Sequence, residues 1–248
     1  MIRVLDSCAS TSSELARCDD APHGFVIAAR SQTAGRGQRG NSWEAEPGKN
    51  LTFSLLLRPR GLHPARQFEL SMVVSLAIAD AIDAVLPEGK HTIVKWPNDI
   101  YVGLEKICGI LIENKLAPAP GGAGGMVIER SIAGVGINVN QTAFVSDAPN
   151  PTSVILQNGG RKTALEPFLS DVCRRILDYW AAYEAAPDAE ALGRRYFARL
   201  LWTSGEHPFA DRDGRFKAHI VSVGSDGMLT LSNGRTYAFK EVSFLVSD

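Results

Sequence analysis

Apolar residues return at helical spacing between Gln67 and Leu86, where Met72, Val73, Leu76, Ile78, Ile82, Val85 and Leu86 recur. That period predicts a long core helix. Two further helices are predicted over Leu165 to Tyr183 and Asp188 to Leu201, separated by Pro187, with Asp188 as N-cap of the second. Elsewhere the apolar runs are shorter. Stretches at 24–30, 51–58 and His91 to Lys95 read as strands. Ile100–Val102 and Lys106–Asn114 read as a hairpin turning at Gly103, and Met126 to Asn138 as a strand broken late by Gly134 and Gly136. Thr11-Ser12-Ser13-Glu14 is a capping box, which predicts a short helix from about Ser12 to Cys18. Ala117 to Gly125 and residues 140–162 carry Pro and Gly without a clear period. Both are expected to be loops, and a connection as long as the second usually serves as a lid or binding loop.

The pattern changes after Trp202. Asp213-Gly214, Asp226-Gly227 and Asn233-Gly234 punctuate short β-rich runs at hairpin spacing. Residues 205–248 are therefore expected to form a small antiparallel barrel of about five short strands. Upstream, antiparallel strands are mixed with helices, so the fold class is α+β. The division expected is a larger domain over 1–203 and a small one over 204–248.

Composition narrows the function classes. The 248 residues carry a formal net charge of −1, so no overall basic field draws the chain to nucleic acid or acidic membranes. Cys8, Cys18, Cys108 and Cys173 are scattered without C-x-x-C spacing, which argues against a zinc site and a disulfide framework. Reduced thiols point to the cytoplasm. The N-terminus lacks the apolar core of a signal peptide, and no stretch approaches the ~18 apolar residues of a membrane span.

The densest chemistry lies in Gly35-Arg36-Gly37-Gln38-Arg39-Gly40-Asn41-Ser42-Trp43. Glycines admit a ligand close to backbone N–H groups, and arginines grip carboxylate or phosphate through a planar fork. Residues 35–40 match the dinucleotide fingerprint literally, but that motif needs a helix to follow its glycines. Here Glu44, Glu46, Pro47 and Gly48 follow, and then a strand. The loop instead suits a small anion with a flat or apolar part.

Other segments join it. They are Ser10-Thr11-Ser12, Gln32, Lys95-Trp96-Pro97-Asn98-Asp99 with Lys106-Ile107-Cys108-Gly109-Ile110-Leu111-Ile112-Glu113, and Gly134-Val135-Gly136-Ile137-Asn138-Val139-Asn140. Taken singly, each has a plain alternative. Lys106 also fits a protective edge lysine, Asp99 a turn residue, Trp43 a core aromatic and Asn138 a strand cap. Cys108 reads as a buried structural thiol, and the five histidines form no ligand cluster.

In order and spacing, these segments together resemble the catalytic core of biotin protein ligases over nearly the whole chain. The K-W-P-N-D segment followed by K-x-x-G-I-L-I-E is the most specific part. The resemblance implies a mixed-sheet catalytic domain of the class II aminoacyl-tRNA synthetase and biotin ligase type, with a C-terminal SH3-like barrel. It implies ATP and Mg²⁺ as cofactors, biotin as substrate and a biotin carboxyl carrier protein as partner. It implies that Ser10, Thr11, Ser12, Gln32, Gly35, Arg36, Gly37, Gln38, Gly40, Trp43, Lys106 and Gly109 bind biotin. Arg36, Arg39, Asn98, Asp99 and Asn138 would serve ATP and the adenylate, Asp99 also Mg²⁺, and Lys106, Arg36 and Arg39 would be catalytic. Many relatives carry arginine where this chain has Gln38, so either Arg39 supplies that charge or the loop works with one cation fewer.

The core segments begin almost at residue 1, so a form without a DNA-binding domain is expected. Neither a membrane nor nucleic acid is an expected partner, and both monomer and homodimer stay open. Two rival functions remain: a lipoate ligase of related fold, and a nucleic-acid-binding module using the Arg/Trp loop and the tail.

Overall fold

The computed structural model describes residues 1–37, 42–122, 124–145 and 150–246. Its main element is a seven-stranded mixed sheet. The strands are β1 (Ile2–Cys8), β2 (Val26–Gln32), β3 (Leu51–Leu57), β4 (Thr92–Lys95), β5 (Asp99–Val102), β6 (Glu105–Pro118) and β7 (Met126–Ile137), in spatial order β1-β2-β3-β7-β6-β5-β4. Only β1 and β2 run parallel. The strand β1 has no counterpart in the sequence reading. Its side chains are mostly exposed along one edge of the sheet, so it shows no apolar alternation.

One face of the sheet carries the main core. Helix α2 (Phe68–Asp83) is buried nearly all round, as expected of a helix enclosed on several sides. Helix α4 (Leu165–Ala185) packs on it through Phe168, Leu169, Val172, Cys173, Ile176 and Trp180, a stripe repeating every three or four residues. Each such side chain, once fully buried, contributes roughly 1.5–3 kcal/mol. The other face is thinly covered. Helix α1 (Thr11–Ala16) sits there over β2, β3 and β7, with Leu15 against Ile27, Leu56 and Ile132. The rest of that face is open, which is where a ligand can lie.

Several sequence expectations need correction. The N-cap of α1 is Ser10, not Thr11, and its side chain makes no capping bond. The hydroxyls of Thr11 and Ser12 turn to Ser54 instead, because a buried hydroxyl needs a partner. Strand β7 runs unbroken through Gly134 and Gly136. Strand β6 continues past Asn114 to Pro118, within the expected loop. The connection over 140–162 holds a short helix, α3 (Val154–Gln157), whose Val154 and Ile155 are buried. Asp188 does cap α5 (Ala189–Phe197), accepting from the Ala191 N–H at 2.9 Å.

The tail contains six short strands among the described residues. They are β8 (His207–Asp211), β9 (Gly214–Ala218), β10 (Ile220–Val223), β11 (Leu229–Leu231), β12 (Thr236–Tyr237) and β13 (Ser243–Phe244), in two three-stranded sheets. Gly214, Gly227 and Gly234, from the three Asx-Gly pairs, all take positive φ at hairpin turns. The tail is seated on Trp96, between β4 and β5. The Trp96 indole N–H donates to the Gly227 carbonyl at 3.1 Å, and its ring lies 5.2 Å from Phe239 and 6.4 Å from Phe244. Phe239 also meets Phe68 of α2 at 5.8 Å.

Candidate active site

The open face of the sheet is cleared by glycine. Side chains alternate along a strand. Ile110, Ala133, Val135 and Ile137 enter the main core, which turns Gly109, Gly134 and Gly136 to the open face. These glycines floor a cavity of about 520 Å³. A methyl group on Gly134 would stand 2.6 Å from Ser12 Oγ, and one on Gly109 would stand 2.9 Å from the Trp43 ring. On Gly136 it would overlap the Trp43 indole.

One end of the cavity is lined by hydroxyl and amide groups. Ser10, Thr11 and Ser12 are each under a tenth exposed. Thr11 Oγ1 and Ser12 Oγ lie 2.8 and 3.0 Å from Ser54 Oγ, and the Thr11 N–H donates to Gln32 Oε1 at 2.8 Å. These groups come from β2, β3 and α1, and the short helix brings them together. Such a cluster can match a small polar, uncharged group that both donates and accepts.

Gly35 to Gly37 and, past the undescribed residues, Ser42 and Trp43 lie over this end. The Trp43 N–H donates to the Gly35 carbonyl at 3.0 Å, and Arg36 pairs with Ser42 in an isolated bridge. Gly35 is needed there, since a Cβ would stand 2.7 Å from the Trp43 carbonyl oxygen. Gly37 lines the cavity. The Arg36 guanidinium forks onto Glu113 at 2.8 and 3.1 Å, so its charge is already shared with a carboxylate. Glu113 closes the K-x-x-G-I-L-I-E segment, and the sequence reading gave it no role. Gln38, Arg39 and Gly40 lie outside the described residues.

The other end is cationic. Lys106 Nζ is 2.8 Å from Asp99 Oδ1 and 5.7 Å from the centre of a Trp43 ring. Its backbone is held from outside the sheet. The Lys106 N–H donates to the Asn150 carbonyl at 2.7 Å, and the Thr152 N–H donates to the Lys106 carbonyl at 2.8 Å. The stretch from Asn150 to Asn158 is thus a brace for this lysine. Lys95, opposite Asp99 in the β4–β5 register, also lines the cavity. Burial draws its ammonium pKa below the usual lysine range; nearby Asp99 opposes that shift and Lys106 adds to it. The cavity wall carries four cations, Arg36, Lys95, Lys106 and Lys240, against one carboxylate, Asp99, among the described residues. A site with that balance favours an anion.

Two expected ligand groups are tied into the scaffold. The Asn98 side-chain amide donates to the Ile110 carbonyl, and the Asn98 carbonyl accepts from the Ile110 N–H at 3.0 Å. Asn98 therefore lines the cavity while clamping β6. Asn138 is buried and is not among the residues that line the cavity. Its Nδ2 donates to the Thr152 carbonyl at 2.9 Å, and its Oδ1 has no hydrogen-bond partner among the described residues. Cys108 is fully buried and burial pushes its thiol pKa up, so it is a structural thiol.

The described residues hold no group of three metal-ligating side chains. Among the described residues, Asp99 alone offers a carboxylate to the cavity. That suits Mg²⁺, which is commonly held by one or two carboxylates with substrate phosphates and water.

The tail supplies the last wall through Lys240, Val242, Ser243 and Phe244. Sequence reasoning missed these residues and Ser54. The tail carries no motif that points to a ligand, and Ser54 sits inside a mostly apolar, fully buried strand.

Comparison with known proteins adds to this geometry. The model of the Biotin/lipoate A/B protein ligase family matches residues 1–123. The bifunctional ligase/repressor BirA of Bacillus subtilis is 36% identical, with 92% of this chain covering 67% of that protein. The biotin–[acetyl-CoA-carboxylase] ligase of Paracoccus denitrificans is 33% identical, with 81% of this chain covering 80% of it. The structure of the biotin protein ligase from Aquifex aeolicus in complex with biotin and ATP superposes with a TM-score of 0.76, covering 98% of this chain and 97% of that one at 22% identity.

Proposed function

The chain belongs to the biotin protein ligase family, and we propose that the cavity described above runs both half-reactions of a biotin–[acetyl-CoA-carboxylase] ligase. In the first, a biotin carboxylate oxygen attacks the α-phosphorus of ATP. The bond from that phosphorus to the bridging oxygen breaks, pyrophosphate leaves, and biotinyl-5′-AMP forms. In the second, a lysine amine of a biotin carboxyl carrier protein attacks the acyl carbon and AMP leaves.

The observation that carries this reading is the convergence of four separated segments on one cavity with a neutral polar end and a cationic end. The ureido ring of biotin donates and accepts without net charge, which matches Thr11, Ser12, Gln32 and the backbone at Gly35 to Gly37. The glycine floor and Trp43 suit its apolar tail. The Lys106 side chain ends beside Gly109, with its Cε 3.6 Å from where a Cβ there would stand, and Gly109 is two strand steps, roughly 10 Å, from Thr52 on β3 beside the hydroxyl cluster. This is the reach of a bicyclic head with a pentanoate chain, and it puts the carboxylate at Lys106. Two anions must meet there, and a fixed cation in a half-dehydrated site offsets their repulsion. Lys106 is that cation. Asp99 holds it in place and is the group that would take Mg²⁺, whose chemistry when bound is to neutralise phosphate charge.

Arg36 and the arginine at 39 belong to the same proposal, as charges that retain the adenylate. Asn98 positions β6 beside the phosphates. Asn138, buried outside the cavity lining, serves the nucleotide end indirectly, through the Thr152 carbonyl that it holds. No helix among the described residues is long and apolar enough to cross a membrane. The four free cysteines fit a reducing compartment, so the cytoplasm is the proposed location.

Titration calorimetry tests the assignment against a lipoate ligase. Biotin is expected to bind without ATP, and lipoate is expected to give no heat at the same concentrations. Binding of lipoate with no response to biotin would reject it.

A further inference from the structure

Among the cavity cations, Lys95 differs in what it touches. Arg36 is forked onto Glu113, and Lys106 is paired with Asp99. Lys95 has no hydrogen bond or ion pair among the described residues. Its Nζ sits between two rings, 5.8 Å from the centre of Tyr101 and 5.1 Å from that of Phe244. Tyr101 belongs to β5 and Phe244 to the tail, so the ammonium lies at the seam between sheet and tail. The side chain lines the cavity and is half-buried. A lysine placed this way has lost much of its water and gained only weak ring contacts in return.

Its place in the sheet says which part of a substrate it meets. Thr52, Gly136, Gly109, Asp99 and Lys95 stand opposite one another in one register row across β3, β7, β6, β5 and β4. The polar, uncharged end of the cavity is at β2 and β3, and Lys106 is on β6. The Lys106 ammonium reaches from β6 to Asp99 on β5, 2.8 Å away, and Lys95 stands opposite Asp99 on β4, one strand or roughly 5 Å further out. A biotin carboxylate held at Lys106 ends short of Lys95. The part of the reacting pair that continues beyond the α-phosphorus is the β- and γ-phosphates.

We propose that Lys95 binds the β- and γ-phosphates of ATP and holds the departing pyrophosphate against the aromatic wall of the tail. As the bond between the α-phosphorus and its bridging oxygen breaks, the electron pair and the new negative charge go to pyrophosphate, next to this ammonium. No proton moves in the step. Lys95 remains an ammonium throughout, and the incoming anion offsets the burial that otherwise disfavours its charge. The inference rests on the ligase reading and adds to it a distinct leaving-group cation contributed at the tail seam.

The test compares Lys95→Met, which keeps length and ring packing, with Lys95→Arg, which keeps charge. Lys95→Gln replaces the first if it does not fold. Inorganic pyrophosphate with Mg²⁺ is titrated into each protein by calorimetry, and the KM for ATP is measured in biotin-dependent pyrophosphate exchange. Biotin affinity and single-turnover transfer from supplied biotinyl-5′-AMP to a carrier domain are measured alongside. Removing the charge is expected to weaken pyrophosphate binding and raise the ATP KM by roughly tenfold or more, with Lys95→Arg close to wild type. Biotin affinity and transfer from the supplied adenylate should stay within about twofold, well below the tenfold that one charge-assisted contact commands. Unchanged pyrophosphate and ATP constants would overturn the inference, as would equal losses in biotin binding and transfer. A wild-type protein that fails to bind biotin would instead contradict the ligase reading.

Discussion

At Gly136 a single methyl group decides whether Trp43 can rest on the sheet. The position is flat β-strand, so glycine is not needed there for its φ. It is needed because a Cβ would overlap the indole. Gly136→Ala is therefore expected to leave the fold intact, since the displaced ring faces the cavity and not the main core. Forcing the ring away should cost about 1–3 kcal/mol, or roughly five- to 150-fold in biotin affinity. Calorimetry with biotin checks this, and affinity within twofold of wild type would show that Trp43 is not part of the biotin site. Lys106 shows the same dependence on neighbours. The motif places it in sequence, but the 2.8 Å pair with Asp99 fixes where its charge lies.

At the level of elements, the long connection after β7 is a brace. Its short helix α3 ends at Gln157, which is buried and bonded on three sides. Lys90 Nζ donates to Gln157 Oε1 at 2.8 Å, and Gln157 Nε2 donates to Glu105 Oε2 at 2.8 Å and Thr152 Oγ1 at 2.9 Å. Through Thr152 this network holds the backbone of Lys106. Gln157→Ala strands the buried Thr152 hydroxyl and releases the exposed Lys90 and Glu105, and is expected to cost about 1–3 kcal/mol of stability. Amide exchange at Thr152 and Val154 should quicken with it. An unaltered melting midpoint with unchanged exchange would show that the segment does not brace the site. Long apolar periods made α2 and α4 legible in the sequence. The brace was not legible, because its order comes from side-chain amides meeting backbone across distant segments. The hydroxyls of Thr11 and Ser12 misled for a related reason. Locally they fit a capping box, but Ser54, 42 and 43 residues away, competes for them and wins.

In the molecule as a whole, the sheet sets out a line from neutral hydroxyls to cations, and the tail closes its far end. The four motif segments and the strand-rich tail could be read from sequence, since each carries its own residue signature. The role of the tail as a cavity wall could not, because Val242, Ser243 and Phe244 carry no ligand-binding signature and are brought to the sheet only by packing on Trp96. The central claim is that this one cavity activates biotin with Lys106 as the fixed charge. The most direct measurement is mass spectrometry of a biotin carboxyl carrier domain incubated with biotin, ATP and Mg²⁺, with pyrophosphate release followed in parallel. Wild-type protein should add one biotinyl group to one carrier lysine and release pyrophosphate in step. Lys106→Ala should fold normally, bind biotin more weakly and do both at least a hundredfold more slowly, since removing one preorganised stabilising group from such a site typically costs about 3–4 kcal/mol of transition-state stabilisation. Carrier labelling and pyrophosphate release by Lys106→Ala at the wild-type rate would contradict the account.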